Sequence, residues 1–281
     1  MTKGDYYTKE IITRILNEGT MDINPRPHYE DGTPAHTLSV NHGMCTYDIS
    51  KGESPFITLR PVAVKSAIGE ILWIYRDQSN DLDVLRDKYN VSWWDQWDIG
   101  NRTIGYAYGG TIWEHSLMSE FHEEMANNPD SRRHQINLWQ NDDFRKAHGL
   151  KPCAFLTMWN VRHEEDGDYL DMMLVQRSSD FCTAGAINQV QYLFFLHAMA
   201  KKYNYKVGRF TWVYDNIQIY DRHIEQAQEM LRREPINCNP VIEIDEHVTW
   251  ENMMPENVHI KGYPLDEIKK KNKQLKFELG I

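Results

Sequence analysis

The chain has 281 residues, is 41% hydrophobic and carries a formal net charge of −10. That length supports a substantial core, and the acidic balance argues against broad binding to DNA, other nucleic acid or an anionic membrane. The four cysteines, Cys45, Cys153, Cys182 and Cys238, contain no C-x-x-C pair, which favours a reducing compartment such as the cytoplasm and makes a zinc site or other metal centre unexpected.

Taken in order, Met1 to Tyr7 is polar and lacks a signal core. Ile11, Ile12, Ile15 and Leu16 fall at helical spacing, with Gly19 as the stop. Residues 22–35 are rich in Pro, Asp and Gly and read as a loop carrying Arg26. His36 to Met44 reads as a strand, and Pro61 breaks the next. Val64, Ala67, Ile68, Ile71, Leu72 and Tyr75 predict a largely buried helix. Glu70 lies within it, and the default place for a glutamate is the solvated face. Three Trp in the run Trp93 to Trp97 are either core or a stacking surface for a planar heterocycle.

Gly105 to Gly110 reads as a tight loop, and Leu117, Phe121 and Met125 as a short helix. Arg132 and Arg133 follow a turn at the entrance to a strand running from Ile136 to Trp139. Cys153 opens a hairpin whose arms run to Trp159 and from Tyr169 to Val175. Val190 to Tyr203 is apolar nearly all round, as a core helix is. Val207 to Val213 is a strand, and Ile224, Ala227, Met230 and Leu231 mark an amphipathic helix ended by Pro235. The last third is loop-rich, with a strand at Leu275 to Leu279. No apolar run approaches the ~18 residues of a membrane span. No repeat or linker marks a second domain, so residues 1–281 read as a single mixed α/β (α+β) domain with antiparallel hairpins and a long buried helix.

The chemistry concentrates between Lys151 and Gln189. A cysteine is most often inert packing. Cys153 differs in following Pro152 at a strand start, with Arg132, Arg133 and Arg177 available to stabilise a thiolate. Arg177-Ser178 suits a phosphate monoester. Asp180 caps a helix or pairs with Arg. Asn188 presents a donor and an acceptor together, as needed to read the adjacent N–H and C=O of a uracil ring.

These segments resemble the thymidylate synthase family, which includes the phage pyrimidine-nucleotide hydroxymethylases. The resemblance spans nearly the whole chain. It rests on Asp31-Gly32-Thr33, Glu70-Ile71-Leu72-Trp73, Trp94-Asp95-Gln96-Trp97, Tyr108-Gly109, Asn128-Pro129-Asp130-Ser131-Arg132-Arg133, Pro152-Cys153, Gln176-Arg177-Ser178-Ser179-Asp180, Asn188 and Ile219-Tyr220. It implies a mixed, mostly antiparallel sheet and folate-dependent one-carbon transfer to C5 of dUMP, with 5,10-methylene-tetrahydrofolate as co-substrate. Cys153 would add to C6, Glu70 would organise water and proton transfer, and Tyr108 would help remove the C5 proton. Gln176, Arg177, Ser178, Asn188, Gln218 and Tyr220 would bind the nucleotide, with Arg132 and Arg133 reaching across a homodimer. Trp94, Trp97 and Asp180 would contact folate.

The chain also departs from the family pattern. Ala154 follows the cysteine where His is usual, and Gln218 stands where the family has His. Thr183-Ala184-Gly185-Ala186-Ile187-Asn188 replaces Leu-Gly-x-Pro-Phe-Asn. The usual phosphate-loop Arg aligns with Gly32, leaving Arg26 as the substitute. The leading expectation is dUMP to dTMP. A wetter wall at Thr183 and Ile187 would instead admit water in place of hydride, giving 5-hydroxymethyl-dUMP. A catalytically silent nucleotide- or RNA-binding homologue is the third reading.

Overall fold

The computed structural model describes residues 1–146 and 149–280. Thr2 opens the first helix, α1 (Lys3–Glu18), through a capping box: its hydroxyl accepts from the Asp5 N–H, and the Asp5 carboxylate accepts from the Thr2 N–H. Ile11, Ile12 and Ile15 bury one face, and the Gly19 N–H closes the helix on the Ile15 carbonyl. A short strand β1 (Thr20–Met21) leads through the Pro-rich loop to β2 (Thr37–Asp48). No strand forms around Pro61; the chain passes straight into α2 (Val64–Ile71) and a wider π turn, Leu72–Arg76.

Helices α3 (Leu82–Tyr89), α4 (Gly109–Glu114) and α5 (Leu117–Asn127) follow. Gly109 and Gly110 therefore belong to a helix start rather than to a loop alone, and a Cβ at Gly109 would meet the Ser79 backbone at 2.1 Å. Strand β3 (Gln135–Asn137) stops before Trp139, and α6 (Asn141–Lys146) precedes the central hairpin, β4 (Ala154–Glu164) and β5 (Gly167–Asp180). Both arms are longer than the sequence periodicity suggests. A π turn (Phe181–Gly185) joins β5 to α7 (Ala186–Tyr203), which returns as β6 (Lys206–Tyr220). Helix α8 (Ile224–Arg232), a separate hairpin of β7 (Val241–Ile244) and β8 (Val258–Lys261), and α9 (Leu265–Lys271) complete the chain.

Among the described residues the main sheet has six strands, in the order β1-β2-β6-β5-β4-β3. All neighbours are antiparallel except β5 and β6, which α7 joins as a parallel crossover. This is the mixed, mostly antiparallel sheet expected. Alternation along the strands sends Met172, Leu174, Phe210 and Trp212 inward, where α7 covers them and α2 covers α7. Helix α7 is surrounded on every side, which explains its lack of a polar stripe.

Two further expectations fail. Leu275 to Leu279 forms no strand, because nothing pairs with it. It is held as extended chain by the His223 Nε2–H, which donates to the Glu278 carbonyl at 2.6 Å. The loop-rich last third also contains the β7–β8 hairpin, which its short, polar-interrupted runs conceal. Among the described residues no helix is long and apolar enough to cross a membrane.

Phe195 on α7 is fully buried, stacked on Tyr75 at 4.3 Å and edge-on to Trp159 at 5.0 Å. Phe195→Ala is expected to cost about 3–5 kcal/mol in denaturant unfolding, as a buried aromatic deletion that the rigid neighbours cannot refill.

Candidate active site

The ends of β4, β5 and β6 meet at one edge of the sheet. Ala154 pairs with Gln176, Ser178 with Asn216, and Asp180 with Gln218. That register sets Cys153, Arg177, Ser178, Gln218 and Tyr220 around a cleft of about 610 Å³, within the range of small-molecule sites. Arg26, Trp94, Trp97, Tyr108, Gln176, Asp180, Thr183 and Asn188 also line it, as do Leu279 and Gly280 of the C-terminal segment.

Arg177 fixes the cysteine loop. Its Nε–H donates to the Pro152 carbonyl at 2.9 Å, and Nη2 donates to the Lys151 carbonyl at 2.8 Å and lies 3.6 Å from Cys153 Sγ. On the other side the Cys153 N–H donates to the Tyr108 hydroxyl at 3.0 Å. Tyr108 adopts a positive φ of 49°, a strained backbone for a bulky residue of the kind found at functional sites. Trp94 packs edge-on to Tyr108 at 5.1 Å and to Trp97 at 5.5 Å. The tryptophan cluster is thus both core and cavity wall.

Burial pushes the Cys153 thiol up, and the charges of Arg177 and then Arg26 pull it back. The net direction is upward, so the cysteine rests as a thiol rather than as the thiolate its arginines suggest. Arg132 and Arg133 take no part in this field: they are exposed and lie off the cleft. Arg26, whose role was only a substitution for Gly32, does contribute. Burial likewise holds the Tyr108 phenol far above its ordinary value.

Glu70 is not on the solvated face. It is buried one layer behind the cleft and accepts from the Trp93 indole N–H, with Trp94 and Gln191 nearby as further donors that lower its carboxyl. Burial raises its carboxyl above the usual range, and these three donors draw it back down. Asp180 neither caps a helix by side chain nor pairs with Arg. It accepts from the Thr183 hydroxyl, and its other oxygen lies 3.9 Å from His223 Nδ1. Ser178 Oγ donates to Gln218 Oε1 at 3.4 Å. Asn188 is bonded on both sides, to Gln176 and to Gln191. Gln191 escapes the sequence reading, and Trp93 enters it only as part of the tryptophan run, with no tie to Glu70. Gln191 had one visible signal, a carboxamide inside an otherwise apolar helix.

Removing Arg177 removes the leading charge that lowers the Cys153 thiol. Arg177→Ala is therefore expected to slow alkylation of the Cys153 peptide at pH 8 by at least about threefold, read by mass spectrometry. An unchanged rate would assign the field to another group. Burial pushes Cys45 up to about 12 and Cys182 higher still, so neither should react in the folded protein.

Comparison with known proteins agrees with this geometry. The family model described as thymidylate synthase matches residues 6–274. A thymidylate synthase of Streptococcus gordonii is 44% identical, and one of Streptococcus pneumoniae is 45% identical, each over 100% of both chains. The solved structure of thermostable thymidylate synthase A from Bacillus subtilis superposes with a TM-score of 0.86 at 30% identity, covering 99% of each chain. The chain belongs to the thymidylate synthase family.

Proposed function

We propose that this chain converts dUMP to dTMP with 5,10-methylene-tetrahydrofolate as one-carbon donor and reductant. One observation carries the reading: a single cleft brings together a nucleophile, Cys153, an anion-binding guanidinium, Arg177, and an oriented carboxamide, Asn188. Its volume and its aromatic wall of Trp94 and Trp97 fit a planar co-substrate beside a nucleotide.

The Cys153 thiol gives up its proton to solvent in the cleft as Sγ bonds to C6 of the uracil ring, and the displaced electron pair makes C5 nucleophilic. C5 attacks the methylene carbon of the folate. Loss of the C5 proton, assisted by Tyr108, and elimination of tetrahydrofolate leave an exocyclic methylene. Hydride from tetrahydrofolate reduces it while Sγ leaves C6, giving dTMP and dihydrofolate. Glu70, buried and drawn toward protonation, is suited to shuttle a proton to and from the ring oxygen edge. Arg177, Ser178 and Arg26 hold the phosphate, Tyr220 and Gln218 meet the sugar, and Asp180 faces the folate. Gln218 can donate and accept where the family's usual His does so.

Arg132 and Arg133 serve the cleft of a second copy in a homodimer. The outward face of the sheet supports this. Met44, Val213, Val175 and Leu156 form one apolar row across four strands, and Met44 is 66% exposed. Such a row on an open sheet face calls for a cover. The unpaired cysteines fit a reducing compartment such as the cytoplasm.

The hydroxymethylase alternative rests on a more polar wall. The Thr183 hydroxyl donates its hydrogen to Asp180, so only its acceptor lone pairs remain for a water. With dUMP and methylene-tetrahydrofolate, dTMP and dihydrofolate should appear together, and Cys153→Ala should abolish both. Formation of 5-hydroxymethyl-dUMP with tetrahydrofolate would reverse the assignment. Mixing Arg132→Ala/Arg133→Ala chains with Cys153→Ala chains should recover activity that neither has alone; no recovery would place both arginines outside a shared site.

A further inference from the structure

A row of buried carboxamides runs behind the base-reading position. The Trp212 indole N–H donates to Gln176 Oε1 at 2.9 Å, and Gln176 Nε2 donates to the Ser178 carbonyl and to Asn188 Oδ1, both at 3.0 Å. Asn188 Nδ2 in turn donates to Gln191 Oε1 at 2.9 Å. The other end of Gln191 lies near Glu70 and lowers its carboxyl, as a donor does. Gln176 and Gln191 are each almost wholly buried.

The direction of this row is dictated from both ends. An indole nitrogen can only donate, so Gln176 must turn its oxygen toward Trp212 and its nitrogen toward Asn188. Gln191 lowers the Glu70 carboxyl, which a donor does, so it turns its nitrogen toward Glu70 and its oxygen toward Asn188. The two constraints meet at Asn188 and agree. Its oxygen faces Gln176, its nitrogen faces Gln191, and one lone pair and one N–H remain for a ligand.

We infer that Gln191 is a specificity-determining positioning residue, which locks the Asn188 amide in the orientation that reads uracil and ties that orientation to Glu70. This rests on the uracil-nucleotide reading given above. Uracil offers an N–H and a C=O at adjacent ring positions; cytosine offers the reverse, an acceptor and an amino group. Accepting cytosine requires the Asn188 amide to rotate by half a turn. Rotation would set N–H against N–H at Gln176 and oxygen against oxygen at Gln191. With Gln191 in place two contacts oppose the rotation; without it only one does.

The test compares two variants. Gln191→Met keeps a helix-compatible side chain of similar length but replaces the carboxamide with an apolar end that does not hold Asn188. Gln191→Glu still accepts from Asn188, but two adjacent buried carboxylates cannot both ionise, so Glu70 and the new carboxyl share one proton. The ionisable groups facing Glu70 are otherwise Tyr108 and Tyr192, both neutral far above the assay range.

Both variants are compared with wild type for kcat/KM on dUMP and dCMP, for Kd of each nucleotide by calorimetry, and for the pH profile. Gln191→Met should lower the dUMP-to-dCMP preference at least about fivefold, the equivalent of one hydrogen bond of about 1 kcal/mol. Gln191→Glu should retain the preference and move the acid limb of the profile to higher pH. An unchanged preference in Gln191→Met, or an equal fall in both variants, would overturn the inference. If Gln191→Met does not fold, an unshifted profile in Gln191→Glu would do so. Wild-type binding of dUMP without turnover would instead remove the functional reading, while the Kd ratios would still decide the role of Gln191.

Discussion

Strand β5 is hydrogen-bonded along both edges, antiparallel to β4 and parallel to β6, and the site depends on that double register. Side chains alternate faces along a strand, so a slip of one residue would exchange Gln176 and Arg177. Gln176 would lose the Trp212 indole and Arg177 would lose the carbonyls of Lys151 and Pro152. Buried polar groups without partners cost of order 1–3 kcal/mol each, so the slipped register is opposed by the same hydrogen bonds that build the cleft. The crossover through α7 adds a second lock, because Asn188 lies on the first turn of a helix that the core encloses on all sides.

The site groups are held in tension between burial and charge. Cys153 and Glu70 are both pushed toward their neutral forms by burial, and both are drawn back by specific neighbours: Arg177 and Arg26 for the thiol, Trp94, Gln191 and Trp93 for the carboxyl. A resting thiol beside a cationic pair is protected from indiscriminate reaction. A bound phosphate would engage those same arginines, so nucleophile and anion anchor share one field. The Asp221-Arg222-His223 turn performs a comparable gathering at the rim. Arg222 reaches Asp31, Thr33 and Glu278, and His223 holds the Glu278 carbonyl. The Pro-rich loop and the C-terminal segment are thereby brought to the same side of the cleft.

Much of this was legible in the residues. Apolar periodicity marks α1, α2 and α7, and the Cys153, Arg177 and Asn188 positions stand out because polar groups of matched chemistry sit between core runs. Residue type alone points Glu70 to solvent, while its apolar neighbours Ile71, Leu72 and Trp73 point inward; three-dimensional packing adds that Trp93, Trp94 and Gln191 lie around it as donors. The Leu275 to Leu279 strand failed for a related reason, since alternation describes a half-buried extended chain whether or not a neighbouring strand exists to pair with it. Gln191 was missed because a glutamine in a core helix announces that it has partners without naming them. The proposed role of Arg132 and Arg133 depends on a surface beyond a single chain.

The central claim is that Cys153 attacks C6 of a uracil nucleotide whose C5 then receives the one-carbon unit. It is tested most directly by incubating the protein with methylene-tetrahydrofolate and 5-fluoro-dUMP, whose C5 fluorine cannot leave as the proton does. The account predicts a covalent complex of nucleotide, folate and protein, localised by peptide mass to Cys153 and absent from Cys45, Cys182 and Cys238. Nucleotide binding without any covalent adduct, or an adduct on another cysteine, would contradict it.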